Sequence, residues 1–239
     1  MKYSYRELAK MIDHSLLHPT MTDQDLEDGC RLAAKYEVAS VCIKPYAVKR
    51  AKELLEGSDV YVGCVIGFPH GNSCTDSKRY ETELACRDGA DEIDMVVNLG
   101  KALSGDWEYV EQDVKTVCDE AHQHGAKVKV IFENDFLTEG GAGLNSDDFK
   151  KKLCQTCERA GADWVKTSTG YGFVKQPDGS YSYQGATEHD LSLMRASCSE
   201  KVQVKAAGGV RDLDGLIKVR DLGSTRCGAT ATAEMLDDY

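Results

Sequence analysis

The sequence predicts an α/β protein, a single (β/α)8 or TIM barrel over residues 1–239 with a short extra helix ahead of its first strand. Three observations lead there. Short apolar segments alternate with longer amphipathic ones eight times along the chain, the pattern of parallel strands joined by helices. The turn Gly-Ala-Asp recurs at 89–91 and 161–163, with Gly-Ala-Lys at 125–127, each between a helical stretch and an apolar run. A glycine that ends a helix and turns at once into a strand is the αβ junction of repeated units. Finally, a doubly wound sheet would carry a glycine-rich phosphate fingerprint straight after its first strand, and Ile12-Asp13-His14-Ser15 offers none, which disfavours that open-sheet alternative.

The elements follow in order. After the N-terminal helix, Met11 to Leu17 is the first strand, ended by His18-Pro19-Thr20. Thr22-Asp23-Gln24-Asp25 caps a helix that runs to about Tyr36. Strands are then expected at Val38–Ile43, Val60–Phe68, Glu92–Asn98 and Val128–Glu133, with helices at Tyr46–Glu56, Thr75–Asp88, Gly105–His124 and Ser146–Ala160 between and after them. A sixth strand surrounds Lys166, a seventh spans Val202–Ala206 and a short eighth spans Thr225–Cys227, with helices from Thr187, over Asp212–Leu222 and after Gly228. Two connections stand out: a glycine-rich loop at 138–145, read as either a lid or a plain link, and a polar loop at 172–185 with the turn signal Pro177-Asp178-Gly179.

Composition narrows the function. A net charge of −11, with 40 acidic residues against 29 basic, argues against a nucleic-acid or anionic-membrane surface and for small-molecule chemistry. Met1-Lys2-Tyr3-Ser4 leads into a polar helix rather than an apolar leader, so the 10 cysteines read as reduced thiols of a cytoplasmic protein. Cys154 and Cys157 form a C-x-x-C, but it lies in a charged helical stretch without a second pair, and a structural reading is preferred to a metal or redox one.

In a barrel of this kind the chemistry sits at the carboxyl ends of the strands. A parallel strand wrapped by helices should be continuously apolar, yet Asp163-Trp-Val-Lys-Thr-Ser-Thr-Gly-Tyr171 puts Lys166 in mid-strand. Burial disfavours an ammonium and turns it towards an amine nucleophile, which makes Lys166 a candidate Schiff-base lysine. Period-two alternation places Lys205 and Asp94 at the same level on the seventh and fourth strands, with Lys129 of the fifth as a candidate fourth member. Two ammonium groups and one carboxylate suit catalysis better than a structural ion network, because a second cation lowers the first lysine's pKa and the carboxylate can move protons. The turns Gly208-Gly209 and Gly228-Ala229-Thr230, after the last two strands, offer free amides for a phosphate.

These motifs, together with Asp-His-Ser-Leu-Leu at 13–17, Val-Ile-Gly-Phe-Pro at 65–69, Glu-Ile-Asp-Met-Val-Val-Asn at 92–98, Val-Lys-Thr-Ser-Thr-Gly at 165–170 and Val-Lys-Ala-Ala-Gly-Gly-Val-Arg at 204–211, resemble those of the deoxyribose-phosphate aldolase family, in order and over nearly the whole chain. The resemblance implies a class I aldolase that works without metal or other cofactor, splitting 2-deoxy-D-ribose 5-phosphate into acetaldehyde and D-glyceraldehyde 3-phosphate. It implies Lys166 as the imine-forming residue, Lys205 as its activating partner and Asp94 as the proton-transfer group. Substrate and phosphate contacts are expected from Gly170, Gly208, Gly209, Gly228 and Thr230, and from Asp13, Ser15, Cys42 and Lys129. A homo-oligomer, dimer or tetramer, is expected, with no nucleic-acid or membrane partner. The chain departs from the family in carrying Ala229-Thr230-Ala231 where relatives often have serines, in the length of the loop 172–185, and in ending at Tyr239 on a short tail. Competing readings are another Schiff-base barrel with a ketose donor, such as a transaldolase, and a barrel that only binds a sugar phosphate.

Overall fold

The computed structural model describes residues 2–239. Helix α1 (Tyr5–Ala9) is closed by a capping box, Ser4 accepting from the Glu7 amide while Glu7 reaches back to the Ser4 amide, an arrangement worth about 1 kcal/mol. Then β1 (Ile12–Leu16), α2 (Asp23–Lys35), β2 (Ser40–Ile43), α3 (Val48–Leu54), β3 (Tyr61–Ile66), α4 (Thr75–Arg87), β4 (Glu92–Val96), α5 (Leu99–Leu103), α6 (Trp107–Gln123), β5 (Lys127–Ile131), α7 (Ser146–Arg159) and β6 (Trp164–Lys166) alternate as expected. A small antiparallel hairpin follows, β7 (Val174–Lys175) and β8 (Tyr181–Ser182), before α8 (Glu188–Ser197), β9 (Gln203–Ala207), α9 (Leu213–Asp221), β10 (Ser224–Ala229) and α10 (Thr232–Asp237).

Eight parallel strands close in the order β1-β2-β3-β4-β5-β6-β9-β10 and back to β1. The predicted barrel and its extra N-terminal helix are both present. The repeated Gly-Ala-Asp turn has a double task. Gly89 and Gly161 take φ of +109° and +93°, open to glycine at little cost, and end α4 and α7. The aspartate two residues on then accepts from the amide of the second residue of the neighbouring strand, Asp91 from Val62 and Asp163 from Val128, both at 2.9 Å. One three-residue device thus stops a helix and sets the register of the strand beside the next one.

Two elements differ from expectation. The five-residue α5 was not expected; Asn98 caps it by accepting from the Lys101 amide. The polar loop 172–185 holds a hairpin, whose two-residue strands are too short to leave a periodic signal. Cys154 and Cys157 are fully buried on the inner face of α7. Among the described residues no helix is long and apolar enough to cross a membrane.

Candidate active site

Register brings the predicted ionisable residues together. Lys166 of β6 lies opposite Lys205 of β9, which lies opposite Arg226 of β10. Asp94 of β4 lies opposite Lys129 of β5. Asp13, Asp94, Lys129 and Lys205 have no exposed surface and Lys166 only 3%, so every charge here must be met by another.

The meeting is uneven. Lys205 Nζ lies 2.6 Å from Asp13 and 2.7 Å from Asp94. Lys129 Nζ touches Asp13 at 3.0 Å, Asp94 at 3.1 Å and also Glu92. The Arg226 guanidinium grips both Asp13 and Glu92. Trp164 floors the cluster, its ring centroid 5.4 Å from Arg226 and 5.9 Å from Lys129. Lys166 has a single carboxylate contact, Asp94 at 2.7 Å. The cluster therefore holds four basic groups and three carboxylates, and Lys166 is the base with the weakest hold.

Electrostatics follow from that count. Burial disfavours ionised Asp94, but Lys129, Lys166 and Lys205 outweigh it and hold the carboxyl well below its usual range. Burial pulls Lys205 down, yet Asp13 and Asp94 more than compensate, and its pKa stands well above normal. Lys129 is likewise raised, against its burial, by Asp13, Asp94 and Glu92. In Lys166 burial wins: assisted by Lys205 and opposed by Asp94, it leaves the pKa below that of a free lysine. A neutral Lys166 amine leaves the remaining three cations balanced by three anions.

A cavity of about 570 Å³ opens above the cluster at the carboxyl ends of the strands. Its wall includes Lys166, Lys205, Asp13, Ser15, Cys42, Gly170, Gly208, Gly209, Gly228 and Thr230, all singled out in the sequence. Lys129 is a correction. Expected to touch substrate, it lies beneath the cavity floor, because it pairs with Trp164, two residues before Lys166 on β6, and spends its ammonium on three carboxylates. Asp94 does not line the cavity either and meets it through the lining residues Lys166 and Lys205, each 2.7 Å from its carboxylate, with Cys42 Sγ at 3.8 Å. Tyr239 stays outside the lining and packs edge-on against Tyr5, ring centroids 5.5 Å apart.

Sequence reasoning missed Glu92 and Arg226, which complete the charge count. The signal was there: Glu92 shares the inward face of Asp94 at a spacing of two, and Arg226 is an isolated cation in an expected core strand. It also missed Tyr183, Phe173 and Arg211, which line the cavity from the loops.

A (β/α)8 barrel whose carboxyl-end cavity is floored by lysines and carboxylates is an enzyme scaffold, and comparison with known proteins gives its class as an aldolase, a lyase. Residues 8–230 match the DeoC/LacD family aldolase model. The chain is 50% identical over 236 residues to a deoxyribose-phosphate aldolase of Rhodopirellula baltica, covering 99% of this chain and 90% of the relative. It is 41% identical to the enzyme of that name from Aciduliprofundum boonei, covering 97% and 96%. The tetrameric deoxyribose phosphate aldolase structure from Aeropyrum pernix superposes with a TM-score of 0.84 at 28% identity, covering 98% of this chain and 92% of that one. The chain belongs to the DeoC/LacD family of aldolases.

Proposed function

We propose that this aldolase reversibly cleaves 2-deoxy-D-ribose 5-phosphate to acetaldehyde and D-glyceraldehyde 3-phosphate through a Schiff base on Lys166, as a step of deoxyribonucleotide catabolism in the cytoplasm. The observation that carries this reading is that Lys166 is the one lysine of the buried cluster left with a single carboxylate and a lowered pKa, at the floor of the cavity. Its amine attacks the substrate's aldehyde carbon, water leaves, and a protonated imine forms. That imine draws in the electron pair of the C2–C3 bond as the bond breaks, the C3 hydroxyl giving up its proton as it becomes the new aldehyde. The resulting enamine takes a proton at C2 and hydrolysis frees acetaldehyde.

Lys205 remains an ammonium throughout, held by Asp13 and Asp94, and keeps Lys166 poised as an amine. Asp94 accepts from Lys166 and is the group assigned to proton transfer. Ser15, Cys42 and Gly170 shape the wall, and the turns Gly208-Gly209 and Gly228-Ala229-Thr230 present amides to the phosphate. A homo-oligomer is supported by the tetrameric relative from Aeropyrum pernix. Neither a nucleic acid nor a membrane is a partner in this reading, in keeping with the acidic charge balance. Borohydride reduction in the presence of acetaldehyde tests residue and mechanism together. An N-ethyl lysine mapped to position 166 is expected, and an adduct at Lys205 instead would reverse the two roles.

A further inference from the structure

The two residues that flank the hairpin β7–β8, Phe173 before it and Tyr183 after it, both enter the cavity wall, and only Tyr183 brings a polar atom. Its placement is fixed on both sides. The Gln184 and Gly185 amides donate to the Asp135 carboxylate at 2.6 and 3.0 Å, and the Ala186 amide donates to the Gly208 carbonyl at 3.1 Å. The ring packs against Phe173 with centroids 5.5 Å apart. The hydroxyl rests on Gly208 so closely that a Cβ there would meet it at 2.0 Å, a second reason, beside a φ of +87°, for glycine at that position.

That hydroxyl is buried beside the Ser168 side chain and the Gly170 backbone, and among the described residues neither these nor any other group meets it in hydrogen-bond geometry. A buried polar atom without a partner is costly, and one set in a cavity wall marks where a polar ligand atom belongs. The nearby carboxylates are spoken for, Glu133 taking the Thr169 hydroxyl and amide and Asp135 two amides of the hairpin base, while the buried Ser168 hydroxyl beside the phenol likewise has no partner among the described residues. Burial, then Glu133 and Asp135, push the phenol's pKa up, so it stays a neutral donor. The same wall holds the Gly208-Gly209 turn and the cationic Arg211. With the Glu133 and Asp135 carboxylates outside the lining and already accepting from protein groups, the donors and the cation of this wall suit a group that only accepts.

We propose that Tyr183 is a specificity-determining residue whose hydroxyl donates to the phosphate end of the substrate, the hairpin insertion supplying the side-chain donor that Ala229 and Ala231 cannot give. The inference rests on the reading of 2-deoxyribose 5-phosphate as substrate. Hydrogen bonds to charged groups are strong enough for one to be worth about ten- to a hundredfold in affinity. Tyr183→Phe should therefore lower kcat/KM for 2-deoxyribose 5-phosphate by about that factor, mainly through KM, while 2-deoxyribose cleavage changes less than about twofold. Direct titration of inorganic phosphate into native protein and variant reads the same contact without turnover, and the variant should bind it correspondingly more weakly. Equal losses on both substrates, or unchanged phosphate binding, would overturn the role of Tyr183. If the native protein binds phosphate but does not cleave 2-deoxyribose 5-phosphate, the reaction proposed above fails while the titration still decides on Tyr183.

Discussion

Two buried lysines, Lys78 and Lys166, make an instructive pair. Each meets an aspartate inside the protein, Lys78 with Asp113 at 2.6 Å between α4 and α6, Lys166 with Asp94 at 2.7 Å inside the barrel. Burial lowers the pKa of both, so that property does not tell them apart. What differs is completeness. Lys78 also donates to the Val96 carbonyl at 2.9 Å, and the other oxygen of Asp113 accepts from the Thr75 hydroxyl at 2.7 Å. The Lys78 pair is closed, one charge for one charge, and sealed from the cavity. Asp94 is shared among three lysines, two of which, Lys166 and Lys205, line the cavity, and Lys166 alone of the three has no second carboxylate. A completed ion pair holds helices together, whereas a deficit of counter-charge leaves an amine free to react.

The sharpest way to break this contrast is to replace each lysine with methionine. Lys166→Met should cost at least about a thousandfold in kcat/KM, because the covalent step is lost. It should cost little stability, since it removes the surplus base of an unbalanced cluster. Lys78→Met should do the reverse: about 3–5 kcal/mol of stability lost, because Asp113 is left buried and unpaired, with near-native kcat in the protein that remains folded. Denaturant unfolding alongside kinetics checks both. A strongly destabilised Lys166→Met, or a stable Lys78→Met, would dissolve the distinction.

A smaller effect is expected of Lys205→Leu, which tests the poise of Lys166 rather than its presence. Removing this ammonium takes away a repelling charge and frees Asp94 to favour the Lys166 ammonium, and both changes raise the Lys166 pKa. The reactive form is the neutral amine, populated as pH rises through that pKa, so the acidic limb of kcat/KM should move to higher pH. Each unit of movement corresponds to about 1.4 kcal/mol, or tenfold at a fixed pH below the limb. Should the variant keep the native pH profile, Lys205 does not set the poise.

Much of this was legible in the sequence, for identifiable reasons. Strands wrapped on both faces read as apolar runs, so a charge within one stands out, and period two assigned Asp94, Lys166 and Lys205 to the inner face. Alternation gives the face of a strand but not its height along the barrel axis. That is why Lys129 was expected at the substrate and lies one layer below, where the register of β5 against β6 sets it beside Trp164. Glu92 escaped because it looks like a strand-end charge, and Arg226 because its expected strand was only three residues long, until the closed barrel brings β4 and β10 face to face across its interior. Tyr183 escaped because a loop's tertiary seat, here made by Asp135 and Gly208, leaves no periodic trace in the chain.

The smallest expected effect returns to the closed pair. If completeness is what makes Lys78–Asp113 structural, loosening it by one neutral contact should cost stability in proportion and leave catalysis untouched. Thr75→Val keeps the shape of the side chain and removes only the hydroxyl that donates to Asp113. The carboxylate keeps Lys78, so the loss should be that of one hydrogen bond to a charged group, about 1.5–3 kcal/mol, trimmed towards the lower figure because Thr75 is only half-buried and water can take its place. Chemical denaturation should show the midpoint falling with an unchanged slope. The pH profile of kcat/KM should stay native, because no atom of this pair touches the Lys166 cluster. A shifted profile would mean that the two ionic sites communicate through β4, whose Val96 carbonyl accepts from Lys78 two residues beyond Asp94, and the division between a structural and a reactive lysine would then have to be redrawn.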